Sequence, residues 1–177
     1  MPNTHTLQAQ SVYSNQHMKT VKLECSSNSK YFYDNHSCRL KAVNRFKSVG
    51  MMHFYPRDPL HSISFNMALY MRNDANIFKP HIVNITVNLC NNYDSRSSGI
   101  YKAVVMKVLK QFTNLNHSCP YEGALVAKNL YLDANLIPIR MAKKSYMAKL
   151  LFYKGIRKVV DPLMTVKLYM DLIESNH

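Results

Sequence analysis

Period two dominates the hydrophobic pattern of this chain. In ISFNMALYM, Ile63, Phe65, Met67, Leu69 and Met71 fall on one face and Ser64, Asn66, Ala68 and Tyr70 on the other, the alternation of a half-buried strand. VNITVNL repeats it, with Val83, Ile85, Val87 and Leu89 opposite Asn84, Thr86 and Asn88. Near the end, Met164, Val166, Leu168, Met170 and Leu172 alternate with Thr165, Lys167, Tyr169 and Asp171. TVKLECS, SCRLKAVNRF, GALVAKNLYLD and SYMAKLLFYKG read as further strands, about seven in all. That inventory predicts a mainly β chain folded as a sandwich or barrel.

One segment departs from the alternation. In SSGIYKAVVMKVLKQF, the apolar Ile100, Val104, Val105, Val108, Leu109 and Phe112 recur at helical spacing, with Ser97 or Ser98 as N-cap. The pattern predicts one amphipathic helix that covers a β core rather than lying on a membrane. Residues 1–18 are polar and aperiodic and read as a disordered lead. Residues 19–177 then form a single β-sandwich domain, a length that one core can organise.

Charge widens the set of partners to consider. Lys and Arg number 23 against 10 Asp and Glu, a formal net charge of +13, so nucleic acid, an anionic membrane or an acidic partner each has to be weighed. The basic residues are scattered in singles and pairs, which disfavours a dedicated nucleic-acid arm. Tyr31, Phe32 and Tyr33 beside Lys30 resemble a small stacking surface, but ordinary aromatic packing explains them equally well. No apolar run reaches the roughly 18 residues of a membrane span. The opening MPNTHTLQAQSVYSNQHMKT lacks the apolar core of a secretory leader, so the sequence by itself carries no export signal.

Candidate chemistry is sparse. Gly50, Gly99, Gly123 and Gly155 stand too far apart for a phosphate-cradling loop, and no cofactor is expected. His117, Cys119 and Glu122 form the only suggestive local group, yet a cysteine committed to a disulfide cannot serve as a thiolate nucleophile. His36, His53, His61 and His81 show no ligand spacing. Neither a catalytic nor a metal site is expected.

The four cysteines, Cys25, Cys38, Cys90 and Cys119, permit three full pairings and fit no common zinc spacing. Cys25 shares a face with Val21 and Leu23, and Cys38 with Leu40 and Ala42. Both can point inward from neighbouring strands, which favours Cys25 with Cys38 and Cys90 with Cys119. Four reduced, buried thiols in a cytosolic protein are the alternative. Three glycosylation sequons lie at Asn35, Asn84 and Asn116, the second on the polar face of its strand and the other two in loops ahead of a cysteine.

Several runs together resemble a known family. TVKLECSSNSKYFYDNHSCRLKAVNR, the strand end NITVNLC, and NHSCPYEGALVAKNL after the helix are similar to an insect family of secreted proteins. It is catalogued as a domain of unknown function numbered ten ninety-one and includes relatives of the fly chemosensory B proteins. The likeness extends over about residues 19 to 174 and is most specific in CRLKAVNR, from Cys38 to Arg45, and NHSCPYEG, from Asn116 to Gly123. The family is in turn similar to the myeloid-differentiation-related lipid-recognition (ML) and ganglioside-activator folds.

The resemblance implies an extracellular, two-sheet antiparallel β-sandwich, ML-like or immunoglobulin-like. Its sheets would part to admit a small apolar ligand, a lipid or hydrocarbon, without catalysis. The inward Phe65, Met67, Met71, Phe152, Met164 and Met170 suit an adaptable apolar cavity, although such a stripe also makes plain core. The competing readings act through the basic surface without a cavity: an extracellular module that docks on an acidic receptor or glycan, or a nucleic-acid binder.

Overall fold

The computed structural model describes residues 16–91, 99–137, 140–155 and 162–175. Among them the chain forms strands β1 (Gln16–Ser27), β2 (Ser37–Ala42), β3 (Ser48–Phe54), β4 (Ile63–Arg72) and β5 (Phe78–Asn88), then helix α1 (Ile100–Phe112). Strand β6 (Leu125–Leu130), a 3-10 turn (Ala134–Leu136), β7 (Ser145–Lys154) and β8 (Pro162–Glu174) complete it. Pairing is antiparallel throughout, in a five-stranded sheet ordered β1-β8-β7-β4-β5 and a three-stranded sheet ordered β2-β3-β6. The mainly β, two-sheet arrangement with one amphipathic helix follows from the alternation, because each strand has an apolar face that must be covered.

Register sorts the inner face of the larger sheet into rows. Phe65 of β4 pairs with Val87 and Phe152, and Phe152 with Met164. The next row runs Ile85, Met67, Leu150, Val166, Cys25, and the one after it Leu69, Ala148, Leu168, Leu23. A fourth row holds Met71, Tyr146, Met170 and Thr20, and Leu172 with Met18 makes the last. Opposite them lie Met52 and Phe54 of β3, Leu125, Ala127 and Leu130 of β6, and Val105, Val108, Leu109 and Phe112 of α1, all buried in one continuous core.

The structure differs from the sequence reading at several boundaries, each for a local reason. Strand β3 is not foreseen because SVGMMHF buries three consecutive residues, Ser48 to Gly50, and so lacks alternation. Strand β2 stops at Ala42 rather than continuing through AVNRF. There the Val43 amide donates to Lys47 O at 2.9 Å and the Phe46 amide to Asn44 Oδ1 at 2.9 Å, closing a turn. Strand β1 begins at Gln16, not near Lys19, since Met18 pairs with Leu172 and is 6% exposed. The rest of the expected lead lies outside the described residues. So do Ser97 and Ser98, and the helix opens at Gly99 without a side-chain cap bond. A bulge between Thr20 and Lys22 turns Val21 outward and places Thr20, not Val21, on the inner face.

Both disulfides form, with the pairing that strand parity favours. Cys25–Cys38 joins β1 to β2, bridging the two sheets along one edge with the Cα atoms 6.1 Å apart. Cys90–Cys119 ties the end of β5 to the connection between α1 and β6. The double variant Cys25→Ser/Cys38→Ser, which removes a bridge of sequence separation 13, is expected to unfold in urea with a stability lower by about 3 kcal/mol. A loss within about 0.5 kcal/mol would mean that the edges hold together without it.

Candidate ligand cavity beneath the helix

Five strands cannot be covered by three, and α1 lies over the uncovered part of the larger sheet, packed against β5 and β6. Beneath it is a cavity of about 100 Å³ whose walls are almost wholly apolar. Its floor is built from the first three rows of the large sheet: Phe65, Met67 and Leu69 of β4, Ala148, Leu150 and Phe152 of β7, and Met164, Val166 and Leu168 of β8. The roof comes from Tyr101, Val104, Val105, Val108 and Leu109 of α1, from β6, and from Leu136 and Ile137 beside the 3-10 turn. Ala148, flanked in register by Leu69 and Leu168, is the smallest side chain of the floor.

Exposure grades across the cavity. At one end Phe65 and Phe152, with ring centroids 4.8 Å apart, are buried together with Leu115 and Leu125. At the other, Tyr101, Val104, Leu132, Leu136 and Ile137 are only half-buried. Met67 and Leu150 are paired neighbours near the middle of the inner face, and both are half-buried. In a solid sandwich those positions would be sealed by the opposite sheet; here they face open space.

Two polar side chains of the walls have partners close by. Thr113 Oγ1 donates to Leu109 O at 2.6 Å, and Asp133 Oδ1 accepts the Asn135 amide at 2.9 Å and its Nδ2 at 3.0 Å, closing the 3-10 turn. The almost wholly apolar wall disfavours a group that needs a hydrogen bond inside it. About 100 Å³ is roughly seven to ten times the space that admits one water, and an apolar void of this kind stays dry.

Of the six expected ligand contacts, the structure brings four together here: Phe65, Met67, Phe152 and Met164. Met71 and Met170 do not reach the cavity. They lie one row further on beside Tyr146, which is fully buried and donates its hydroxyl to Ala142 O at 2.8 Å. Burial holds the Tyr146 phenol above its ordinary pKa, and with Met18, Met141 and Met170 also buried this end of the sandwich is packed on β1, β7 and β8, Met71 at the β4 side being half-buried. The roof residues are those that alternation could not assign to a site. The apolar stripe of α1 is visible in the sequence, but which strands it covers depends on topology.

NHSCPYEG forms the corner leading from α1 into β6. Cys119 is bonded to Cys90, Tyr121 exchanges backbone hydrogen bonds with Leu60, and its hydroxyl donates to His117 O at 2.6 Å. His117 is exposed and its ring packs against that of Tyr121. Asn114 secures the helix exit, donating to Ala124 O and accepting from the Val126 amide, both at 2.8 Å. Asn35, Asn84 and Asn116 are all exposed, and the Asn84 carboxamide oxygen accepts from the buried Asn66 at 2.8 Å. Among the described residues no His, Cys, Asp or Glu side chains gather into a group able to hold a metal ion, and no helix is long and apolar enough to cross a membrane.

Residues 65–148 match the model of a family described as a protein of unknown function, DUF1091. It is the family that the sequence runs resemble. The match covers just under half of the chain, less than the likeness over residues 19 to 174. It takes in NHSCPYEG but not CRLKAVNR. The matched segment runs from Phe65 in β4 to Ala148 in β7 and thus takes in the β4 part of the floor, the helix and the roof apart from β3, but not Leu150 and Phe152 of β7 or any of β8. Among curated proteins, none matches the chain.

A dry apolar void takes up xenon or benzene. Xenon-dependent shifts in the NMR signals of the Met67 and Leu150 methyl groups are expected, and Ala148→Leu should abolish them while changing stability by less than the roughly 1 to 3 kcal/mol that overpacking a solid core costs. A full overpacking penalty, together with no xenon response in the parent protein, would mean that the space is closed in solution.

Proposed function

We propose that the protein is a non-enzymatic carrier that binds a small apolar ligand, a lipid or hydrocarbon chain, in the cavity beneath α1, and that it works outside the cell. The observation that carries this reading is the incomplete burial of Met67 and Leu150 in the middle of an inner sheet face, under an almost wholly apolar roof. Two disulfides fit an oxidising compartment. Three exposed sequons fit a secreted glycoprotein. The resemblance to lipid-recognition sandwiches points to the same ligand class.

Magnitudes refine the proposal. An apolar cavity of about 150 Å³ takes up benzene, so one of about 100 Å³ holds about four methylenes, which would contribute roughly 3 kcal/mol gross at about 0.8 kcal/mol each. Association costs come off that sum, whereas a micromolar complex needs about 8 kcal/mol net. A micromolar ligand must therefore bury more surface than the resting cavity offers, either by leaving part of its chain at the mouth or by lifting α1 outward.

Native mass spectrometry of protein secreted from eukaryotic cells is expected to find co-purifying apolar chains. Met67→Trp, placed on the cavity floor, should remove them and lower the affinity for a long-chain fluorescent probe at least tenfold, with stability changed by less than about 1 kcal/mol. If Met67→Trp is strongly destabilised and no apolar molecule accompanies the parent protein, the carrier reading is wrong, and a solid sandwich acting through its basic surface takes its place.

A further inference from the structure

The outer face of the large sheet has an apolar corner on its edge strand. Along β5, Pro80, Ile82 and Asn84 are exposed while Val83 is buried, so the three lie on the outer face together. Ile82 is 62% exposed, a large apolar side chain that the core does not use. Pro80 pairs with Tyr70 and Asn84 with Ala68, and both β4 partners are half-buried on that same face. Among the described residues β5 is the last strand of its sheet, and an apolar corner on such an edge invites pairing with another chain.

Asn84 borders this corner and opens the sequon Asn84-Ile85-Thr86. One buried carboxamide holds all three of its residues. Asn66 of β4 donates through Nδ2 to Asn84 Oδ1 at 2.8 Å, to Thr86 Oγ1 at 3.0 Å and to Ile85 O at 3.1 Å. A buried amide is retained only where its polar atoms are used, and every acceptor of this Nδ2 belongs to the sequon. With Oδ1 fastened toward Asn66, Asn84 Nδ2 lies on the other side of its carboxamide, and Nδ2 is the atom that carries an N-linked sugar.

We propose that Asn84 bears an N-linked glycan whose first N-acetylglucosamine rests on the corner formed by Ala68, Tyr70 and Ile82. In the transfer, Asn84 Nδ2 bonds to the anomeric carbon of an oligosaccharide carried on a lipid diphosphate. The bond from that carbon to the diphosphate oxygen breaks, the diphosphate leaves with the electron pair, and Nδ2 gives up one proton. Oδ1 is unchanged, so the bond from Asn66 survives and the sugar sits on a carboxamide already oriented. The acetyl methyl and the C–H face of the sugar ring supply the apolar surface that covers Ile82 and Ala68, and the hydroxyls face water. The bulk of the glycan also keeps β5 from pairing with a strand of another chain. This inference rests on the extracellular reading, which takes the chain through the compartment where such transfer occurs, and is independent of the cavity.

Expression of the full chain in eukaryotic cells behind a cleavable secretory leader tests it, because passage through that compartment is then assured. Peptide mass spectrometry is expected to find Asn84 glycosylated. Thr86→Val, which removes the sequon hydroxyl at nearly constant volume, should abolish that mass while Asn66 keeps its acceptors on Asn84 and Ile85. In protein trimmed to the first sugar by an endoglycosidase, NMR contacts are expected between the acetyl methyl and the Ile82 methyl groups. Ile82→Ser should remove those contacts and leave Asn84 glycosylated, with Tm unchanged because the residue is exposed.

A trimmed sugar without contact to Ile82 or Tyr70 overturns the proposal, as does an unmodified protein that self-associates and is restored to a monomer by Ile82→Ser, since the corner then belongs to a second copy. Bare Asn84 on leader-directed protein overturns this inference and leaves the extracellular reading standing. Retention of the natural protein inside its cells, with Asn84 modified on the leader-directed chain, removes the extracellular reading instead.

Discussion

The five-stranded sheet presents a wider apolar face than three strands can cover, and the remaining structure depends on how that mismatch is met. An uncovered inner face would expose Val83, Val87, Phe65 and Met67 to water at roughly 1.5 to 3 kcal/mol for each large side chain. Helix α1 meets the need because its apolar stripe, Val105, Val108, Leu109 and Phe112, is turned inward. A helix and a strand differ in width and in the spacing of their side chains, however, so α1 does not reproduce the interdigitation of two sheets. The cavity lies where that substitution leaves room, above Ala148 and between Met67 and Leu150.

The disulfides act on the same mismatch from its two edges. Cys25–Cys38 sews β1 to β2 where the sheets do face each other. Cys90–Cys119 closes the excursion that contains α1, so both ends of the helical segment are fixed to one point near the buried end of the cavity. Near that point the backbone exchange between Tyr121 and Leu60, together with the Asn114 bonds into β6, fixes the C-terminal side of the helix. The opposite end of α1, at Gly99, has no side-chain cap. The Asn114 fastenings hold the C-terminal side of the helix to β6 at the closed end of the cavity.

Much of this was legible in the sequence and some of it could not be. Strict alternation in ISFNMALYM, VNITVNL and MTVKLYMDL identified β4, β5 and β8 because each has one wet and one dry face. The same parity placed Cys25 and Cys38 on facing positions. Strand β3 escaped because Ser48, Val49 and Gly50 are buried in succession, which erases the period-two signal. Two of the six expected cavity residues, Met71 and Met170, share the face of Met67 and Met164 but belong to a row filled by Tyr146. Periodicity reports the face of a strand; it does not report what stands opposite each row. The roof was illegible for the same reason, since the stripe of α1 reveals an apolar face without revealing that it replaces missing strands.

The division of the large sheet into rows separates two demands that usually conflict. A cavity lowers stability by leaving wall atoms without packing partners, so a chain that keeps one needs a compensating region. Here the β1, β7 and β8 parts of the fourth and fifth rows, with Tyr146, Met170, Leu172 and Met18 buried beside Met141, form a packed core apart from the cavity on the same strands β7 and β8. The strands are continuous across both regions, so the register set by the solid rows also holds Phe152, Leu150 and Ala148 in place beneath the helix. Rearranging the roof then need not disturb the floor: α1 could shift against β5 and β6 while the hydrogen-bonded ladder from β4 to β8 stays intact. The methionine side chains at the floor, Met67 and Met164, are unbranched and can change rotamer to follow such a shift, which a floor of β-branched residues could not do as readily.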